Sequence, residues 1–583
     1  TDAANNSMYT HDVSGTDNTA QNNTAYGFNA LDAITTGDDN TAIGKDAGSA
    51  INTGSANIIL GTGAGDEITT GNFNVAIGRS ALGTEGTGGG NIAIGYQALT
   101  LQNTSSSAYN VAVGHQAGAA VSTGNQNVLV GGLTGDALTT GVENTAIGHQ
   151  ALSVAQTSHA NVAIGHQSLA MQSADGFTFN TAVGYNSGQQ VTSGSQQVLI
   201  GAYAGDALTT GAQNVAIGYT ALSTEDTGNG AVAIGYKALE DQDFNGTSYN
   251  VAVGYEAGKN INTGTQNTLI GAQAGDFLTS GSSNVALGYL ALSSEDTGNK
   301  NTAIGYRALK DQDHGMDNFN TAVGFDAGLS MTSGIYNTLV GAQAGDALTT
   351  GNTNVAVGYL ALTSEVQGDR SVAVGHAALE VQSNSSNADI YNTAVGYNAG
   401  KRMTTGKQNT IMGGLAGEDL TTGQDNVAIG YRALTTEQQG DRSVAVGYDA
   451  LRNQNNGGNA YNIAVGFAAG QAVTSGSLNT LVGSLAGYNL SSGSNNVAIG
   501  MQALENEDQY GRNVAVGAEA LRTLNASENA INTAVGYHAG KNISTGIVNT
   551  VIGGLAGDAI TTGSSNTALG YNSLTQATVA SNN

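Results

Sequence analysis

The sequence has no proline, no cysteine and no tryptophan, and only 10% of its 583 residues are charged. Each absence excludes something. Without cysteine there are no disulfides and no thiolate chemistry. Proline would interrupt a backbone ladder, so its absence suits a long uninterrupted one. Ordinary globular domains carry about 25% charged residues and about 5% proline, so a string of such domains is disfavoured despite the length. The charges are lopsided, 17 Lys and Arg against 44 Asp and Glu, with a net charge of −27. That balance speaks against nucleic acid or an anionic membrane as a partner. No apolar run approaches the roughly 20 residues of a membrane span, so no membrane insertion is expected. No secretory leader is legible and the chain starts at Thr1 rather than Met, which suits a processed chain or a piece of a longer one.

Present in abundance are glycine, 86 residues, and hydrophobic residues, 40% of the chain. The hydrophobic residues recur at fixed places, which disordered chains do not show. The repeating motif is Asn-[Thr/Val/Ile]-Ala-[Ile/Val]-Gly-aromatic-x-Ala-[Gly/Leu], and its central glycine occurs 32 times, from Gly27, Gly44, Gly61 and Gly78 to Gly536, Gly553 and Gly570. The usual step is 17 residues and every fourth step is longer, so four coils form a unit of about 70 residues, as from Gly44 to Gly114 and from Gly114 to Gly184. The array spans 22–575, with 1–21 and the tail 576–583 outside it.

Seventeen residues are too few for a helical hairpin and suit one turn of a parallel β-solenoid. Glycine every few residues excludes a helix, at about 1 kcal/mol each. The chain is therefore expected to be all-β, about 32 coils of 17–19 residues. At about 4.8 Å per coil the rod would be on the order of 150 Å long. In Asn214-Val215-Ala216-Ile217-Gly218, Val215 and Ile217 point one way and Ala216 the other, and both faces are apolar. One face is expected to fill the coil and the other, carrying Ala146, Ala216 and, in second coils, Leu129, Leu199, Leu269 and Leu339, to meet neighbouring chains. Seven residues past the glycine stands a further apolar column, Ile51, Val121 and Ile261 in first coils and Ile68 and Leu138 in second coils; in third and fourth coils a Leu four residues past the glycine, as Leu152 and Leu169, is expected to replace it.

These residues resemble the head repeats of trimeric autotransporter adhesins, on motifs such as Asn40-Thr41-Ala42-Ile43-Gly44 and Asn320-Thr321-Ala322-Val323-Gly324-Phe325-Asp326-Ala327-Gly328. With the Thr139-Thr140-Gly141 and Thr209-Thr210-Gly211 turns, the 17-residue period is also similar to the repeats of phage and bacterial tail-fibre-like proteins. The resemblance implies a left-handed β-roll, three identical chains around one axis, and service as a fibre or adhesive head outside the cell, on a cell surface or on a virion.

Candidate sites are few. Asn stands four residues before the glycine in 28 of 32 coils; Asn40, Asn74, Asn144 and Asn214, with Gly44, Gly78, Gly148 and Gly218, are expected to form turns and a stacked amide ladder. The residue after the glycine is Tyr in 13 coils and Phe in three. Packing is the expected use of that stripe, and contact with a surface glycan through Tyr219, Tyr236 and Tyr255 the alternative. His115, His149, His166 and His376 fall in the same column without a second ligand type, so no metal is expected. Gly-Asp steps at Asp66, Asp136, Asp206, Asp276, Asp346 and Asp558 are too sparse for a calcium solenoid and suit turns. The fourth-coil loops 102–109, 172–179, 242–249, 312–319, 382–391, 454–461 and 524–531 are a second place for a glycan. No catalytic constellation, cofactor motif or phosphate loop is present, and no enzyme activity is expected. Neither end carries an evident cap, so end-to-end polymerisation, or a cap on another protein, is expected.

Overall fold

The computed structural model describes Met8, Tyr9 and residues 19–583 except Ala577. It comprises two compact units, Thr1–Leu287 and Gly288–Asn583. Each is a parallel β-solenoid. The first unit holds sixteen three-residue strands from Thr24–Tyr26 to Val285–Leu287, and the second holds sixteen from Thr302–Ile304 to Thr567–Leu569. Within a unit each strand pairs in parallel with the next coil's strand at equivalent positions, as Val215↔Val232, Ala216↔Ala233 and Ile217↔Ile234.

A three-residue strand has no stability of its own; its partners one coil above and below supply it. Each strand stops at the central glycine, where the backbone turns with φ between +111° and +149°, a region essentially closed to residues with a Cβ. The asparagine that opens the strand is fully buried and bridges coils. Asn144 Nδ2 donates to the Ser158 carbonyl at 2.9 Å, and its Oδ1 accepts the backbone N–H of Asn161 at 3.0 Å. Asn40 Nδ2 donates to Gly54 at 2.9 Å, Asn74 to Gly88 at 3.1 Å and Asn214 to Gly228 at 2.8 Å. Asn thus holds the ladder but is not the left-handed turn residue. That role falls to the residue before it: Asp39, Phe73, Glu143 and Gln213 have φ of 60°, 60°, 60° and 61°.

Strand polarity is the reverse of the sequence expectation. Ala146, Ala216, Leu129, Leu199, Leu269 and Leu339 are all 0% exposed within their own chain, so none of them can form a face between chains. They fill the coil. Their neighbours Val215 and Ile217 stay half-buried and form the outward face. Opposite the strand, the core is closed by Ile51, Ile68, Val121 and Leu138 in first and second coils and by Leu82, Leu99, Leu152 and Leu169 in third and fourth coils, all fully buried.

The ends of the array also differ from the expected limits. Met8 and Tyr9 pair in parallel with Thr24 and Ala25, so strand pairing begins inside the segment 1–21; positions 1–7 and 10–18 lie outside the described residues. At the other end Asn583 takes the next rung of the amide ladder, donating its backbone N–H and its Nδ2 to Asn566 Oδ1 at 3.1 and 3.0 Å. The tail 576–583 keeps the 17-residue register because Asn583 follows Asn566 by one period.

Candidate functional site

Three surfaces and one interior constellation bear on function. The outward strand face carries mostly β-branched side chains in two columns, with Ile43, Ile147, Ile200 and Ile270 among the exposed ones. Beside it runs the ring column that follows the central glycine. Tyr219 and Tyr236 stack at 5.6 Å and 12°, and Tyr236 and Tyr255 at 5.1 Å and 8°. These rings turn their faces to one another and their edges outward. A sugar stacks on an exposed ring face, so the interior of the stack offers it little. His149 and His166 stack within the same column at 5.5 Å and 13°, and His166 continues onto Tyr185 at 5.0 Å. The histidines serve there as planar packers, and no group of three or more metal-ligating side chains gathers among the described residues.

The fourth-coil loops form the third surface. Around loop 102–109 lies an open cleft of about 520 Å³ lined by Thr87, Asn103, Thr104, Ser105, Ser107, Thr123 and Asn125. Hydroxyls and amides dominate it, a lining suited to a polyhydroxylated ligand.

The interior constellation was not anticipated. In third coils the column seven residues past the glycine carries glutamate: Glu85, Glu225, Glu295, Glu365, Glu437 and Glu507, all 0% exposed. One coil later the same column is Gln242, Gln382 and Gln454, which donate Nε2 to Glu225, Glu365 and Glu437 at 2.9, 2.8 and 2.9 Å. Each Gln Oε1 in turn accepts Nδ2 of the next ladder asparagine, as from Asn392 to Gln382 at 2.9 Å. The signal was in the sequence, since the column reads Ile51, Ile68, Glu85 and Gln102 through one four-coil unit. It was hidden by looking for apolar residues only.

Burial raises the pKa of Glu85, Glu225, Glu295 and Glu507. It pushes Glu295 up to about 7 against the N–H donors of Gly298 and His314. Burial likewise raises two of the Gly-Asp carboxylates, Asp206 and Asp276, to about 6. An acid whose pKa is raised by folding contributes stability that is complete below its unfolded pKa and is lost as pH rises through the folded one. The window here runs from about 4 to about 7. Glu519 has the opposite sign, held down to about 2 by Lys541 and Arg522, and its contribution is lost only in strong acid. The denaturant midpoint should therefore be higher at pH 5 than at pH 8. A midpoint that stays flat or rises toward pH 8 would contradict this.

No family model matches the chain, and no curated protein or solved structure does either. No helix is long and apolar enough to cross a membrane among the described residues.

Proposed function

We propose that the chain is a non-enzymatic shaft of a fibre, assembled as a homotrimer on the outward strand face and working outside the cell, on a cell surface or on a virion. The observation that carries this reading is the outward face itself. One outward column is largely Val and Ile and the other mixes Val and Ile with Thr; both stay half-buried or exposed, strand after strand, in each unit, while the residue between them is fully covered. Repeated apolar sheet of this kind is a self-association surface unless another copy covers it. The resemblance of the repeats to trimeric adhesin heads and tail-fibre-like proteins supports three as the chain count, and end-to-end joining remains part of the proposal.

The test is a mass measurement by sedimentation. The chain should sediment at three times its monomer mass, and Ile147→Lys with Ile200→Lys should yield monomers with an unchanged far-ultraviolet spectrum, because both side chains lie outside the coil. A wild-type chain that is monomeric at micromolar concentration would sink the trimer. A second reading, glycan recognition, is favoured by the hydroxyl-lined cleft at loop 102–109 rather than by the ring stripe.

A further inference from the structure

The ring column is interrupted at regular intervals. In the second coil of each four-coil unit the position after the central glycine is small: Thr62, Gly132, Ala202, Ala272, Ala342, Gly414, Ser484 and Gly554. In the second unit this cuts the column into stacks. Tyr306 lies on Phe325 at 5.1 Å and 6°, His376 on Tyr397 at 5.1 Å and 21°, and Tyr431 on Tyr448 at 5.5 Å and 28°. Between these stacks are two gaps; at a third small position, Gly554, the bordering Tyr537 is already stacked on His538 at 3.7 Å. One lies at Ala342, bordered by Phe325 and Tyr359, and the other at Gly414, bordered by Tyr397 and Tyr431. Two strand spacings separate the bordering positions, about 9.6 Å. That span leaves one ring missing from a ladder whose rings stand 5.0 to 5.6 Å apart when stacked.

The chain itself shows what fits. At the corresponding gap in the first unit, over Ala202, the next residue is Tyr203, and its ring stands between the two bordering rings. Its centroid is 5.4 Å from Tyr185 and 6.1 Å from Tyr219, edge-on to both. That filled gap joins the stacks on either side. At Ala342 and Gly414 the corresponding residues are Gln343 and Leu415, which carry no ring. All four bordering rings keep exposed surface, Phe325 and Tyr359 at 51% and 49% and Tyr397 and Tyr431 at 57% and 45%.

The charge of the missing partner can also be read. Arg307 lies over Tyr306 at 5.0 Å, and Arg432 lies over Tyr431 at 5.0 Å and Tyr448 at 5.4 Å. Planar cations are thus already accommodated against this column, as the quadrupole of the rings favours, and the net charge of −27 attracts more of them. We propose that the gaps at Ala342 and Gly414 are binding slots for a planar, cationic aromatic group, with Tyr203 as the built-in example of an occupied slot.

Thioflavin T, a planar benzothiazolium cation, is a suitable probe, titrated calorimetrically against the full chain with fluorescence as a second readout. Tyr203→Ala should empty the filled slot and raise the number of dye sites by one per chain. Gln343→Tyr should fill a slot and lower the number by one. Leu, Gln and Tyr all occur at this position among the repeats, so both variants keep the coil, and circular dichroism verifies it; should Gln343→Tyr misfold, the Tyr203→Ala arm decides alone. Opposite shifts in stoichiometry establish the slots. Absence of dye binding, or a stoichiometry that neither variant moves, overturns them.

Discussion

Gly131→Ala should break the first unit locally, at a cost of about 4 kcal/mol or more, while Gly132→Ala, one residue along, should be within about 0.5 kcal/mol of wild type. The contrast follows from where each added methyl group would go. At Gly131 it would lie 2.5 Å from the carbonyl oxygen of Gly148 in the next coil and 2.7 Å from that carbonyl carbon. Both atoms are backbone, held by the parallel ladder, and cannot move without pulling Thr145–Ile147 out of register. The φ of +137° adds its own penalty for any residue with a Cβ. At Gly132 the nearest heavy atom would be His149 Cδ2 at 3.6 Å, an ordinary contact, and equivalent coils carry Ala202 and Ala342 at this position. Because each coil touches only its neighbours, the damage should be confined. Limited proteolysis should cut Gly131→Ala within a coil or two of the substitution and leave both ends resistant. Equal resistance of the two variants would mean that the glycine column does not set coil spacing.

The period was legible because it is arithmetic: glycine every 17 residues and Asn four before it needed only counting. The direction in which the strand faces was not legible that way. Alternation states that Val215 and Ala216 point apart, not which of them lies inside. Assigning the larger side chain to the interior failed because a 17-residue coil is too thin to take bulk from both walls. The opposite wall supplies Leu152 or Leu138, and the strand can add only a methyl group. A clue was present. Where the strand does bring bulk inward, at Leu129, the facing positions are Gly118 and Gly135, and a Cβ at either would lie 2.7 or 2.9 Å from a Leu129 methyl. Bulk at one position balanced by glycine at two others is the signature of a shared interior. The ladder residues were readable as a column but not their turn role, because the left-handed residue preceding each Asn is Asp, Phe, Glu, Gln, Arg or Tyr by turns and leaves no compositional mark.

Glu365→Ala should loosen one fourth-coil loop and cost about 3–5 kcal/mol, the range for stripping a partner from a buried charged network. The carboxylate accepts from six donors. Oε1 takes the backbone N–H groups of Val366, Gln367, Gly368 and Asn384 at 3.0, 3.2, 2.8 and 3.0 Å. Oε2 takes Gln382 Nε2 and Asn384 Nδ2, both at 2.8 Å. It therefore ties the turn 366–368 to the start of loop 382–391. Glu365→Gln should cost less, about 2 kcal/mol, since an amide oxygen can keep the four backbone donors while its NH₂ opposes the other two. A repeat that lacks the acid shows the alternative arrangement. The equivalent residue there is Ala155, and Ser158–His159 pairs in parallel with Gly176–Phe177 across the two loops. In the Glu365 repeat only a single bridge, Asp369↔Asp389, joins the corresponding segments. The carboxylate and the extra strand pairing are two solutions to one problem, how to hold a loop too long for its coil, by two residues in the Ala155 repeat and by four in the Glu365 repeat. Hydrogen exchange should then rise at the amides of 366–368 and 384 in Glu365→Ala and stay unchanged around Ser158. Unaltered protection at those amides would show that the loop is held by its asparagine rungs and that the buried acid is dispensable.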